Sequence, residues 1–524
     1  MTPFVLVTLV TLSVVGLAPM FLIVGRRLTA VALAPLGGAL LAAWAAEGEL
    51  LIGGTFPLWF VGLGIASNAV CAAYVLGARR SSPLKPGQIR LVPERRWVSK
   101  RTSPPSRSHR PYAFKVLPSL CLAAACGAPL ALLSAKYVTH DANAIWIFHA
   151  TWILAGHRQY RANLLNPAYS FSNPSYPPLV SAAIATSGLL RFALSAPAAA
   201  ALVAVLNSCA LFVAASGLVH VRSAHRGIQG AVAVLVAGGL CLQGFTLDAP
   251  YSLGGDADLL WAACATAALM YGLVLPCRRD YFATATLCCL IASFTKTEGL
   301  VTALMVAALM ALRYLRVFSS CAAGPLWDRM RRSLRARARS QPAHWGAVSG
   351  RVAIGGLVAL GSGAVWFLGL HAMHVENRFF SASTLRESSG LRLHFIGIAL
   401  LPYLPLLGLA MSVEEVGGVR WRHARQAAGL GSPWLLWAVT TGYLGALVFT
   451  YAVGSLGIRG WLAASLPRTM VFTQLALFSE MGTWCILGSG SAADGLRRVW
   501  PTALRRPGLR AVRSKGRNRA GPGA

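Results

Sequence analysis

Residues 136–178 read KYVTHDANAIWIFHATWILAGHRQYRANLLNPAYSFSNPSYPP. This is the one long stretch outside the apolar runs that is not basic. It carries a scarce acid, Asp141, in a chain with only 16 acids among 524 residues. Asp141 follows closely on an apolar run that ends near residue 134. At the far end, Tyr176-Pro177-Pro178 leads into the next apolar run. Consecutive prolines fix an extended entry and suit the first turn of a helix.

Outward from this stretch the chain is built for lipid. It is 56% hydrophobic and 12% charged, with a mean hydropathy of +0.57, and apolar runs of about 20 residues recur along its length. The expected fold class is all-α, a polytopic transmembrane helical bundle. Phe4 to Val24 lacks a charged n-region and is followed by Arg26, Arg27 and another apolar run, so it reads as a retained span rather than a cleaved signal. The 11 cysteines fall largely inside apolar runs with no CxxC pairing, which marks them as small core residues.

A net charge of +32 invites a nucleic-acid reading, and the distribution of the charge argues against it. Eleven Lys/Arg lie between Arg79 and Lys115, nine between Arg313 and Arg351, and nine between Arg497 and Arg519, all beside apolar spans. This is the pattern of cytoplasmic loops under the positive-inside rule, helped by anionic lipid headgroups. No nucleic-acid partner is expected; membrane lipids are.

With residues 79–115 inside, orientation propagates along candidate spans 4–24, 29–46, 55–77, 116–134, 178–195, 199–220, 228–246, 257–276, 281–295, 299–317, 351–373, 394–413, 433–456 and 469–488. The span before residue 136 delivers Asp141 outside. Residues 458–468, 374–391, 247–258 and 295–298 also fall outside, and residues 420–425 inside. The orientation of the flanking loops calls for an odd number of crossings by the two apolar segments in 178–220, so one reads as re-entrant or interfacial and the total as about 13 spans, the alternative being two full spans with a different assignment downstream. Short juxtamembrane helices are expected in the first large extracytoplasmic loop. Residues 1–78 form a three-span extension, 79–115 a basic cytoplasmic linker, 116–490 the core, and 491–524 a basic tail.

The extracytoplasmic loops thereby collect most of the unusual polar groups: Asp141, His149 and His157; Asp248, Asp256 and Asp258; Lys296 and Glu298; Glu376 and Arg378; and Arg468. Charges bordering apolar segments are costly unless they pair or line a wet site. The basic loops show no Gly-rich phosphate loop and no dinucleotide fingerprint.

The order of these residues resembles a known pattern. Asp141, the A-x-W-x-x-x-A of Ala144 to Ala150, Tyr176-Pro177-Pro178-Leu179, the G-D-A-D of Gly255 to Asp258, the T-K-T-E-G-L of Thr295 to Leu300, and the W-L-A-A-S-L-P-R of Trp461 to Arg468 are together similar to the landmarks of the GT-C superfamily of integral-membrane glycosyltransferases, of the bacterial type related to dolichyl-phosphate-mannose mannosyltransferases. The resemblance covers residues 116 to 490. It implies transfer of a sugar from a polyprenyl-phosphate donor to a glycan, lipid or protein acceptor at the outer face of the plasma membrane. It places Asp141 as general base, with Arg468 and Lys296 as phosphate-binding candidates and Glu298, Asp256, Asp258 and Tyr176 around the substrate. One base acting directly implies inversion; retention needs a second carboxylate, for which Asp256 or Asp258 is the candidate. No cofactor is expected. The chain departs from the family in having His140-Asp141 where many members have two adjacent acids, which counts against a divalent metal, and in its three extra N-terminal spans.

Each role has a structural competitor. Asp141 can cap the helix beginning near Ala142, and Asp256 or Asp258 the eighth candidate span, 257–276. Lys296 and Glu298 can form a structural ion pair, and Arg468 can snorkel at the interface. His140, Asp141, His149 and His157 can be weighed as a metal set, although their spacing is no recognised ligand pattern. Trp146 and Trp152 suit an aromatic belt. The alternative function is a multi-span secondary transporter or lipid flippase, which calls for repeats and midplane charges, whereas the acids here cluster at one face.

Overall fold

The computed structural model describes residues 2–24, 27–80, 138–189, 194–221, 228–247, 251, 253–314, 363–375, 389–454 and 458–499. Among these residues every regular element is a helix. The linker, the expected span 116–134, Asp248, Glu376, Arg378, most of the basic cluster beginning at Arg313, and residues 500–524 of the tail lie outside the described residues.

The N-terminal helices are α1 (Thr2–Val24), α2 (Arg27–Ile52) and α3 (Phe56–Arg80). Residues 138–178 hold α4 (Ala142–Leu154), α5 (His157–Leu165) and a 3-10 turn, Pro167–Ser172. Then come α6 (Leu179–Leu189), α7 (Ala196–Val219), α8 (Ile228–Leu247), α9 (Asp258–Val274), α10 (Arg279–Thr295), α11 (Thr297–Tyr314) and α12 (Gly363–Ala372). The chain finishes with α13 (Ser389–Leu400), α14 (Leu404–Ala427), α15 (Pro433–Val453), α16 (Ile458–Thr469) and α17 (Val471–Val499).

Eight stretches among the described residues are long and apolar enough to cross a bilayer: Phe4–Val24, Leu28–Ile52, Phe56–Leu76, Ala196–Val219, Gln229–Leu247, Gly390–Ser412, Pro433–Val453 and Ile458–Ser489. They fit a multi-pass membrane protein. Of the two apolar segments in 178–220, α6 has 11 residues, about 16 Å at 1.5 Å per residue, and α7 has 24. Residues 458–468, expected as a loop, are helical instead. Leu462 and Leu466 of α16 are buried, and α16 runs through Met470 almost directly into α17.

The core is centred on α9. Every residue from Asp258 to Val274 is buried, enclosed by α7, α10, α11 and α17. Its apolar composition, with Ala at 262, 263, 265, 267 and 268, lets neighbouring backbones come close. The N-terminal helices share this core: α2 packs on α1, α3, α6 and α7, and Leu33, Leu36 and Leu50 are fully buried. Gly16 and Gly38 set the α1–α2 approach, since a Cβ on either would collide with the backbone of Ala34 or Leu12. By contrast α3, α8 and α13 turn large apolar side chains outward, among them Leu58, Ile65, Val70, Leu235 and Ile398, as lipid-solvated helices do.

The two ends of α9 gather opposite sets of residues. At its C-terminal end, buried Arg313 donates to the carbonyls of Gly272 (2.8 Å) and Leu275 (2.7 Å), a cation placed where the helix dipole favours one. Gly431 docks there through its N–H on Val274 O (2.8 Å), and Arg425 donates to Gly431 O (2.5 Å) while ion-pairing with buried Glu480. At the N-terminal end sit Asp141, Lys296 and Arg468. Residues that the sequence sorts to opposite faces therefore meet opposite ends of one buried helix.

Candidate functional site

The cluster at the N-terminal end of α9 is assembled from five separate places in the chain. Asp141 is on the residue before α4, Asp256 and Asp258 on the turn into α9, Lys296 at the break between α10 and α11, Glu298 in the first turn of α11, and Arg468 in the last turn of α16. The turn before α9 is possible because Gly255 takes φ +97°. A Cβ there would lie 3.0 Å from the Ala142 Cβ and 3.0 Å from the Ala200 Cα, so any other residue would add a tight contact with α4 and α7 to its backbone strain. Thr139 ties the segment down, its N–H and hydroxyl both donating to Gly254 O, at 3.0 and 3.2 Å.

Arg468 is the hub. Its Nε donates to Asp258 Oδ2 at 2.7 Å, its Nη2 donates to the same oxygen, and its Nη1 donates to Asp141 Oδ2 at 2.7 Å. Asp256 Oδ2 lies 3.3 Å from Nη2, close enough for attraction but without hydrogen-bond geometry. The guanidinium also lies 4.9 Å from the ring centre of Tyr251. Behind the cluster, Lys296 Nζ donates to Asp258 Oδ1 at 2.5 Å, with Glu298 Oε1 at 3.9 Å. The ammonium sits 5.4 Å from the centre of Tyr176, which is itself stacked on Trp146 at 5.6 Å. Arg468 is positioned through the end of α16, where Tyr443 donates to Thr469 O (2.8 Å) and the Tyr451 hydroxyl meets Ser465 Oγ (2.7 Å).

Exposure separates the carboxylates. The Asp256 and Asp258 side chains are 0% and 1% exposed, whereas that of Asp141 is 32% exposed and that of Arg468 15%. Burial pushes the Asp256 carboxyl up to about 7, against the pull of Arg468. Burial likewise raises the Tyr176 hydroxyl above its ordinary range, so it stays protonated, with the Lys296 charge only partly opposing.

The capping roles weighed from sequence do not hold. Asp141 has helical backbone angles and makes no cap hydrogen bond; the Thr139 hydroxyl accepts from Ala142 N (3.1 Å) instead. Asp258 lies inside the first turn of α9 and its side chain is taken by the two cations, while the N-cap residue, Ala257, offers none. Lys296 pairs chiefly with Asp258 rather than Glu298, because Asp258 is the closer carboxylate by 1.4 Å.

The histidines stand apart from the cluster. His149 is buried against Trp152 and bonds Ser172 Oγ at 3.1 Å, and burial pushes its imidazole down to about 3. His157 Nδ1 lies 2.6 Å from Glu49 O on α2. Among the described residues no group of three His, Cys, Asp or Glu is arranged to hold a metal ion. Trp146 and Trp152 are both buried, packed on Tyr176 and on Tyr169 and His149, rather than lying in an interfacial belt.

Sequence reasoning missed several members. Tyr251, Tyr443 and Tyr451 carry no local signal, because their roles depend on Arg468 and the end of α16 folding back onto them. Away from the cluster, buried Glu47 and Glu49 on α2, and the Arg425–Glu480 pair at the other end of α9, are also legible as ionisable residues within apolar helices. Comparison with family models, curated proteins and solved structures found no match to this chain.

Proposed function

We propose that the chain is a membrane glycosyltransferase that moves a sugar from a polyprenyl-phosphate donor to an envelope acceptor, with inversion and with Asp141 as general base. The observation that carries this reading is the convergence of Asp141, Asp256, Asp258, Lys296 and Arg468 on one point, with Asp141 the most accessible of the three aspartates. An acceptor hydroxyl oxygen attacks the anomeric carbon and its proton passes to Asp141. The carbon–oxygen bond to phosphate breaks, and its electron pair leaves on the phosphate oxygen. Arg468, the partly exposed cation beside Asp141, receives the charge developing on that phosphate. Lys296 is buried and braces Asp258, so it acts through the position of Arg468.

Asp256 and Asp258 lie buried beneath Arg468, an arrangement that favours single displacement over a covalent glycosyl-enzyme on either of them. The full reading takes about 13 crossings of a bacterial plasma membrane, with the cluster on the extracytoplasmic face. Its test is sugar transfer from polyprenyl-phosphate donors by the purified protein in proteoliposomes, beside the glycan profile of a deletion strain. Asp141→Asn is expected to lose transfer while inserting and expressing normally, and wild-type turnover in that variant would sink the assignment.

A further inference from the structure

We infer that the donor phosphate and Asp141 compete for the same edge of Arg468, so that binding the donor is the event that frees the base. This rests on the function proposed above. A guanidinium offers five N–H donors in a fixed plane, and an anion takes an edge of it. One side of Arg468 is committed inward: Nε and Nη2 both go to Asp258, whose other oxygen is held by Lys296. Asp258 is buried and Lys296 nearly so, leaving this half of the contact closed to a ligand. The other side is Nη1, which donates to Asp141 Oδ2 at 2.7 Å through one of its two N–H groups.

Asp141 is the one partner of Arg468 in this carboxylate set with substantial exposure, and it sits on the residue before α4 rather than within the packed core. Besides Asp256, whose burial favours the protonated form, the cluster already holds three carboxylates, Asp141, Asp258 and Glu298, against two cations, Arg468 and Lys296. A phosphodiester adds another negative charge. Seated on Arg468 beside a bound Asp141, it would put two anions against one guanidinium edge, a like-charge contact that Coulomb repulsion opposes. Exchange avoids this. The phosphate takes Nη1, Asp258 keeps the guanidinium from following either anion, and the carboxylate of Asp141 turns free to meet the acceptor hydroxyl. Donor therefore precedes productive acceptor, and an enzyme without donor keeps its base tied.

The test is equilibrium binding of polyprenyl monophosphate, the leaving group, to the full-length protein in detergent. Removing Asp141 takes away the competitor, so Asp141→Asn and Asp141→Ala are each expected to bind about tenfold more tightly than wild type, the worth of one charge-assisted hydrogen bond. Asp280→Asn removes the same charge outside the cluster, beside Arg278 at the start of α10, and is expected to change affinity by less than about twofold. Arg468→Gln is expected to lose binding. If Asp141→Asn binds equally or less tightly, or if Asp280→Asn tightens binding as much, competition for Nη1 is wrong while the enzyme reading stands. If wild type does not bind the probe at all, the enzyme reading falls and this inference falls with it.

Discussion

Asp258 and Lys296 allow the cluster to be tested without knowing any substrate. The pair is buried, joined at 2.5 Å, and each member has further charged neighbours: Asp258 has Arg468, and Lys296 has Glu298 at 3.9 Å. Removing one member of a buried pair costs about 3–5 kcal/mol, because the other is left uncompensated. The remaining neighbours put both Lys296→Met and Asp258→Asn at the lower end, about 3 kcal/mol each. Were the two sites independent, the double variant would lose about 6 kcal/mol; because it removes one charge of each sign, we expect about 4, a coupling of about 2 kcal/mol. The assay is unfolding of the purified protein in mixed micelles by a denaturing detergent, followed by loss of helical circular dichroism. Losses that add to within about 0.5 kcal/mol would refute the pairing as the organising contact of the cluster.

Two further outcomes follow from the turn into α9. Gly255→Ala forces a side chain onto φ +97° and against Ala142 and Ala200, whereas Gly53→Ala meets the same backbone strain at φ +103° with nothing within 4 Å. The first is expected to lose about 2–4 kcal/mol and the second about 1–2 in the same unfolding assay, and equal losses would show that the contact with α4 is not tight. Asp256 supplies a pH dependence. Its carboxyl is raised from 3.8 to about 7, so the folded protein holds this proton more firmly than the unfolded chain. Its stabilising contribution is full below about 3.8 and is lost as pH rises through about 7. Asp256→Asn lacks that loss, so its melting temperature relative to wild type should climb between pH 5 and 8. A difference that is flat or falling with pH would contradict the burial of that charge.

What the sequence made legible were features that repeat or stand out locally. Apolar runs report helices, and scarce charges beside spans mark where polar side chains gather. Asp141, Lys296, Asp258 and Arg468 could each be singled out in this way. Their partners could not, because Asp141 and Arg468 are 327 residues apart and no local rule joins them. The capping readings failed for the same reason: an Asp before a helix looks like a cap until a distant arginine claims it. Residues 458–468 read as a loop because Pro467 and Arg468 interrupt the apolar pattern, yet buried Leu462 and Leu466 keep the backbone helical through them. The hydroxyls of Tyr443 and Tyr451 had no address until α16 was in place.

Helix α9 is fixed at both ends, its first turn by Arg468 and Lys296 and its last carbonyls by Arg313, with apolar contacts along its whole length. A shift of one residue along its axis, about 1.5 Å, would break charged contacts at both ends together. It therefore serves as a ruler, setting the separation of the two polar layers independently of the surrounding bilayer. Adjustment to a thinner or thicker membrane falls instead to the tilt of outer helices such as α3, α8 and α13, whose apolar faces are turned outward. Changes in lipid composition would then be absorbed at the rim before they reached the spacing between Asp141 and Arg468.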